Sequence, residues 1–150
     1  MGDAKVVLRE WALAFVKSRD AFFRKVARFE DVGSDFVAHY KDGKQQLHVI
    51  MPSLADLSQF IAKCPPEQHV VLITLNNKEN KKAVVEHWKQ LAGMKFLTLY
   101  FANPVSEGEK KWVIMPHVHD KICDGNLMAG FNSLSEMVAE ISEDSAAFRT

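Results

Sequence analysis

Two apolar runs of strand length, separated by one segment of helix length, constrain this chain more than anything else in it. His69 to Leu75 (HVVLITL) is almost continuously apolar, the pattern of a strand buried on both faces of a sheet. Phe96 to Phe101 is a second such run. Between them, residues 78–92 read as a helix with Val84, Val85, Trp88 and Leu91 facing inward and Gly93 where a glycine ends helices. Strand, helix and strand in that order close as a right-handed parallel crossover, so the fold class is α/β.

The flanking segments extend this unit. Residues 4–20 predict an amphipathic helix whose inward face is Leu8, Trp11, Phe15 and Phe22. The stretch 21–31 admits either helix or strand. Alternation of Phe23, Lys25, Ala27 and Phe29, followed by a Val32 to Asp35 turn, favours the strand. Phe36 to Tyr40 has strand composition, and Asp42-Gly43 predicts a type I′ hairpin. The partner strand, 46–51, turns Leu47, Val49 and Met51 to one side and Gln46, His48 and Ile50 to the other. A three-strand meander therefore spans 23–51, with His39 and His48 read as exposed strand residues.

Ser53 then reads as the N-cap of a helix carrying Leu54, Leu57, Ile61 and Cys64 on one face and stopping at Pro65-Pro66. Trp112 to Met115 is a last strand. A final helix runs from about Asn126 to Ser142 with Leu127, Phe131, Leu134, Val138 and Ile141 inward, and a frayed tail begins near residue 142. The expectation is one domain over residues 1–150: a mixed sheet with an N-terminal antiparallel meander, parallel β-α-β units and helices on both faces.

Charge and composition narrow the function. Lys plus Arg and Asp plus Glu number 19 each, so no net field draws the chain toward polyanions. With 47% hydrophobic and 25% charged residues it matches an ordinary globular domain. No apolar run approaches the roughly 20 residues of a membrane span, and Met1 to Lys5 leads into a charged helix rather than a signal-peptide core. Cys64 and Cys123 do not make a disulfide framework. A cytoplasmic protein without membrane contact is expected.

The order helix, three-strand meander, helix and further strands resembles the restriction-endonuclease-like fold of the PD-D/E-x-K nuclease superfamily, over residues 4–101. That resemblance implies a divalent metal held by an acidic residue at the start of the second or third strand and a D/E-x-K on the third. The third strand here reads Gln45-Gln46-Leu47-His48-Val49-Ile50-Met51, with neither carboxylate nor lysine. Lys44 precedes it, and Asp35 and Asp42 fall in turns. A hard cation such as Mg²⁺ favours oxygen ligands. The resemblance therefore implies a catalytically degenerate member, a non-catalytic module for binding or assembly.

Several groups compete as its working surface. Arg24, Lys25 and Arg28, with Lys17 and Arg19 upstream, make residues 1–30 mildly basic, with seven basic and four acidic side chains. Arginine forks suit phosphates, so nucleic acid is the partner this segment fits; a solvated face is the plainer reading. Phe22, Phe23 and Phe29 read as core rather than as a base-stacking platform. A second cluster, His117, His119, Asp120, Cys123 and Asp124, offers imidazole, carboxylate and thiolate ligands. If the strand extends that far, His117 and His119 point the same way, the basis for an alternative: a metal-dependent hydrolase. The same residues serve equally as strand terminators, helix caps or a protein partner's surface. Cys123 beside His119 is also a conceivable thiol nucleophile, and Cys64 reads as core.

Asn76, Asn77 and Asn103 follow the two buried strands at their carboxyl ends, where open α/β sheets bind ligands, and asparagine is also simply a good cap. No glycine-rich phosphate loop accompanies them. The sequence specifies no cofactor.

Overall fold

The strand Val70–Leu75 (β4) is buried along its whole length, and the sheet is built outward from it. The computed structural model describes residues 2–122 and 127–148. Among these, six strands lie in the order β1 (Val26–Val32), β2 (Asp35–Tyr40), β3 (Gln45–Ile50), β4, β5 (Leu97–Ala102) and β6 (Lys111–Ile114). The first three form the antiparallel meander; β3, β4 and β5 are parallel, and β6 returns antiparallel. The chain is thus an α/β fold on a mixed sheet.

Helices cover both faces. Helix α1 (Gly2–Phe23) lies on one, over Phe36, Ile50, Val71, Ile73 and Leu75. The other carries α2 (Leu57–Lys63), α3 (Lys78–Glu86), α4 (Trp88–Ala92) and α6 (Leu127–Ser135), packed around Leu72, Leu99, Phe101 and Trp112. A further helix, α5 (Pro116–Ile122), follows β6. The alternation in β3 places Leu47, Val49 and Met51 toward α2 and Ile50 toward α1, as its sequence predicts.

Several local expectations are corrected. In α1 the buried row is Ala4, Leu8, Ala12 and Val16, spaced four apart. Small side chains sit where the helix approaches the sheet, and Trp11 and Phe15 stack together on its flank, 5.6 Å between centroids. Phe22 does not belong to the inward face; it is 85% exposed. The helix also continues to Phe23, so the strand reading of 23–31 holds only from Val26.

The β2–β3 connection is not a type I′ turn. Gly43 has φ 92° while Asp42 does not share the positive φ such a turn requires. Gly43 N–H donates to Tyr40 O at 3.0 Å and Tyr40 N–H to Lys44 O at 2.8 Å, the pattern of a type I turn closed by a left-handed glycine. Ser53 does not cap α2: Asp56 stands at that position without a side-chain bond, and Ser53 Oγ accepts from Ala55 N–H instead. The helix expected over 78–92 breaks at His87 into α3 and α4.

The largest correction concerns the C-terminal segment. The last helix ends at Ser135, and residues 136–148 cross the carboxyl ends of the strands as a strap, burying Val138, Ile141 and Phe148. Phe148 closes it within a 3-10 turn, Ala146–Phe148, packed with the α1 core. It is not a frayed tail through residue 148.

Candidate functional site

The carboxyl ends of β4 and β5, where ligands enter open α/β sheets, are occupied by the strap. Asn76 Nδ2 donates to Val138 O at 2.8 Å and to Ser135 O at 3.4 Å, while Asn76 Oδ1 accepts from Trp112 Nε1–H at 2.7 Å. Asn77 caps α3 by accepting from Asn80 N–H and donates to Ile141 O at 3.0 Å. Asn103 donates to Ala139 O at 3.1 Å. Asn80, buried beneath them, accepts from Leu54 N–H and donates to Pro52 O and Leu75 O. These carboxamides are engaged with backbone and with the Trp112 indole, so the capping reading of Asn77 stands and the role they play here is structural. Among the described strands the sheet order also runs without reversal from β1 to β6, so these strands form no switch-point crevice. A hollow of about 350 Å³ beside Ser53 and Asn77 is walled by Asp3, Glu79 and Glu143.

The opposite end of the sheet is built differently. Helix α1 stops because Arg24 takes φ 54°. The Asp20 carboxylate then accepts from Lys25 N–H at 2.8 Å and Val26 N–H at 2.9 Å, fixing the angle between helix and strand. Lys41 N–H donates to Lys25 O at 2.9 Å, so the β2–β3 turn, with Lys41 and Lys44, lies against the start of β1. Three shallow hollows share Lys25 and Tyr40: one of about 440 Å³ toward Arg19 and Phe23, one of about 330 Å³ toward Arg24 and Lys41, and one of about 260 Å³ toward Lys44 and His69. Tyr40 O–H donates to Gln46 Oε1 at 2.8 Å, and burial pushes its pKa upward. His69 stacks on Phe96 with centroids 4.4 Å apart.

Among the described residues, the ion pairs are Arg9–Asp31, Arg28–Glu30 and His39–Glu30, and none involves Arg24, Lys25, Lys41 or Lys44. Phe22 and Phe23 extend this surface; they are 85% and 57% exposed, so the expectation that they are core residues is overturned. Fully burying such a side chain is worth roughly 1.5–3 kcal/mol, which makes two adjacent exposed phenylalanines conspicuous.

The cluster Arg24, Lys25 and Arg28 is therefore divided. Arg24 and Lys25 stand at the end of the sheet, whereas Arg28 lies within β1, 3.7 Å from Glu30. Arg19 donates to Tyr100 O–H oxygen at 3.2 Å and covers Phe15, and Lys17 covers Phe29. Sequence pattern alone does not single out Lys41 and Lys44. Their signal was available: they flank the hairpin turn, and antiparallel pairing of β1 with β2 brings that turn to Lys25.

Charge is segregated along the strand direction. The connections and helix ends at this end carry Arg24, Lys25, Lys41, Lys44, Lys63 and Lys95 against Asp42 and Glu67, and those at the strap end carry Asp3, Asp56, Glu79, Glu107, Glu109, Glu143 and Asp144 against Lys78 and Lys110.

The histidine cluster takes another form than expected. Strand β6 ends at Ile114, and His117, His119 and Asp120 lie in α5, where residues two apart point in different directions. His117 Nδ1 lies 2.9 Å from Ala92 O, and Asp120 Oδ1 accepts from Trp88 Nε1–H at 2.8 Å. His119 packs edge-on to Trp88, with its Nε2 buried and unpartnered among the described residues. Cys123 and Asp124 lie outside the described residues. Among those described, no three His, Cys, Asp or Glu side chains gather closely enough to hold a metal ion. Cys64 is half-buried beside the core, and burial raises its pKa, as suits a packing residue.

Asp35, which opens β2, accepts from Ile50 N–H at 2.9 Å. His39 pairs with Glu30 at 2.7 Å, and His48 is buried in the core rather than exposed. No described helix is long and apolar enough to cross a membrane. No protein-family model, curated protein or solved structure matches the chain.

Proposed function

We propose that this chain is a non-catalytic, restriction-endonuclease-like module that contacts nucleic acid through the basic end of its sheet. The observation that carries the reading is the convergence of Arg24, Lys25, Lys41 and Lys44, from two chain segments joined by the Lys41 to Lys25 backbone bond, on one open surface outside the described ion pairs. Cations so placed neutralise phosphates and release counterions, giving sequence-independent affinity.

The element order, α1, the meander, α2 and the parallel strands, supports the nuclease-like part. Strand β3 without a carboxylate or lysine supports the non-catalytic part; Asp35 does open β2, where the resemblance expects an acidic residue, and accepts one backbone N–H, so it is the carboxylate that the cleavage test must remove. Against the rival metal-dependent hydrolase stand the separate engagements of His117 and Asp120.

Fluorescence anisotropy of labelled oligonucleotides against salt tests the proposal. Affinity in the micromolar range at low salt is expected, about 10⁻⁴ to 10⁻⁶ M, falling steeply as salt rises. Replacing Arg24, Lys25 and Lys41 by Gln should flatten the salt slope by roughly one per residue. No binding at low salt, or identical curves for wild type and variant, overturns the contact. Incubation of DNA with Mg²⁺ or Mn²⁺ should leave it intact; cleavage abolished by Asp35→Ala overturns the non-catalytic reading. Near one metal ion per chain after purification without a tag would restore the hydrolase.

A further inference from the structure

We infer that the nucleic acid received at this end is single-stranded, its unpaired bases stacking on Phe22 and Phe23 while its backbone runs over Arg24, Lys25, Lys41 and Lys44; the inference rests on the reading just proposed. Phe22 and Phe23 occupy the last positions of α1, edge to face with centroids 5.4 Å apart. Lys25 Nζ stands 5.9 Å from the Phe23 centroid, so a cation adjoins the aromatic pair. The hollow beside Phe23 leads past Arg19, Asp20 and Lys25 to Tyr40, and the adjoining hollows continue to Arg24, Lys41, Asp42 and Lys44, so cations outnumber the two carboxylates along it. Aromatic faces interleaved with cations along a groove are the means by which proteins hold unstacked bases and a phosphate backbone together.

The rings have a rigid mount. The left-handed Arg24 and the two N–H bonds to the Asp20 carboxylate fix the end of α1 against β1, so the pair is presented by a helix packed on the sheet. A duplex keeps its base faces stacked internally and offers these rings only sugar and phosphate, which gives exposed phenyl groups nothing to stack on. An anionic membrane would also attract this combination. Against it, the apolar row of α1, Ala4, Leu8, Ala12 and Val16, is buried on the sheet, which leaves the helix no second apolar face to lie on lipid.

The test compares short labelled oligouridylate and oligothymidylate with a duplex, using the whole chain, the variant Phe22→Ala/Phe23→Ala and the variant Lys25→Gln/Lys41→Gln. Single strands should bind more tightly than duplex. The phenylalanine variant should lose on the order of tenfold in affinity for single strands with its salt slope unchanged, whereas the lysine variant should lose slope. Both rings are exposed, so the thermal midpoint of the phenylalanine variant checks that its fold is intact. Duplex binding equal to single-strand binding, with the phenylalanine variant unaffected, overturns this inference and leaves the nucleic-acid contact standing. No binding to any oligonucleotide overturns both. Binding to phosphatidylserine-containing vesicles that the phenylalanine variant loses, without single-strand binding, replaces nucleic acid by a lipid surface.

Discussion

The imidazole of His48 lies flat against the ring of Phe36, with centroids 4.5 Å apart and planes 9° from parallel. It is a cross-strand pair of β2 and β3 in the core beneath α1, with His48 1% exposed. Nδ1 lies 3.2 Å from Gln46 O, which only accepts, so that nitrogen carries the proton and Nε2 faces the core without a partner among the described residues. Desolvation lowers the pKa of His48 from 6.5 to about 4, with Arg19 contributing and the Gln46 bond opposing.

An acid-labile fold follows. The unfolded state binds more protons than the folded state between the unfolded value of 6.5 and the folded value of about 4. Stability from this group is complete above the upper value and declines as pH falls, by about 3 kcal/mol in total, levelling off below the lower value. Urea unfolding across this range should show that slope in wild type and a reduced one in His48→Phe. Parallel curves would mean that His48 is not the group responsible.

Replacing Asn76 should loosen the strap. Asn76→Leu removes the donor to Val138 O and Ser135 O and the acceptor for Trp112 Nε1–H. Leaving a buried group unpaired costs about 1–3 kcal/mol, so a loss of about 3 kcal/mol is expected in denaturant unfolding. Amide hydrogen exchange at Ile141, whose N–H donates to Asn76 O at 2.9 Å, should accelerate more than exchange within β4. Unchanged protection there would show that packing of Val138 and Phe148 holds the strap unaided.

The β2–β3 turn makes a prediction of backbone strain alone. A Cβ on Gly43 would meet nothing within 4 Å, yet its φ is 92°. Gly43→Ala and Gly43→Val should therefore both cost about 1 kcal/mol or more, and Gly43→Asn less, because asparagine tolerates the left-handed region better. Equal melting temperatures for all four proteins would refute the turn geometry described.

The sheet was legible because β3, β4 and β5 carry their burial in their residue types, and the alternation of Leu47, Val49 and Ile50 fixed which face each took. What sequence reasoning missed lay where side-chain size and backbone reach compete with hydrophobicity. Trp11 and Phe15 are more apolar than Ala4 and Ala12, but the alanines occupy the close helix-to-sheet contact. The strap reads as a helix and tail because Leu134, Val138 and Ile141 keep helical spacing, while its ties to Asn76, Asn77 and Asn103 are long-range bonds without local signature. For the candidate site, Arg24 and Lys25 were visible in the sequence. Their partners Lys41 and Lys44 come from register, and the exposure of Phe22 follows from where α1 stops.

The separation of Lys25, Lys41 and Lys44 from Asp3, Glu79 and Glu143 along the strands gives a chain of zero formal charge an uneven charge distribution, and so an electric moment, along the sheet. A uniform field exerts no net pull on such a molecule but does turn it. Beside a polyanion, whose field falls off over about 8 Å at physiological ionic strength, the torque on such a molecule favours approach with the cationic end first, and the isoelectric point gives no sign of this.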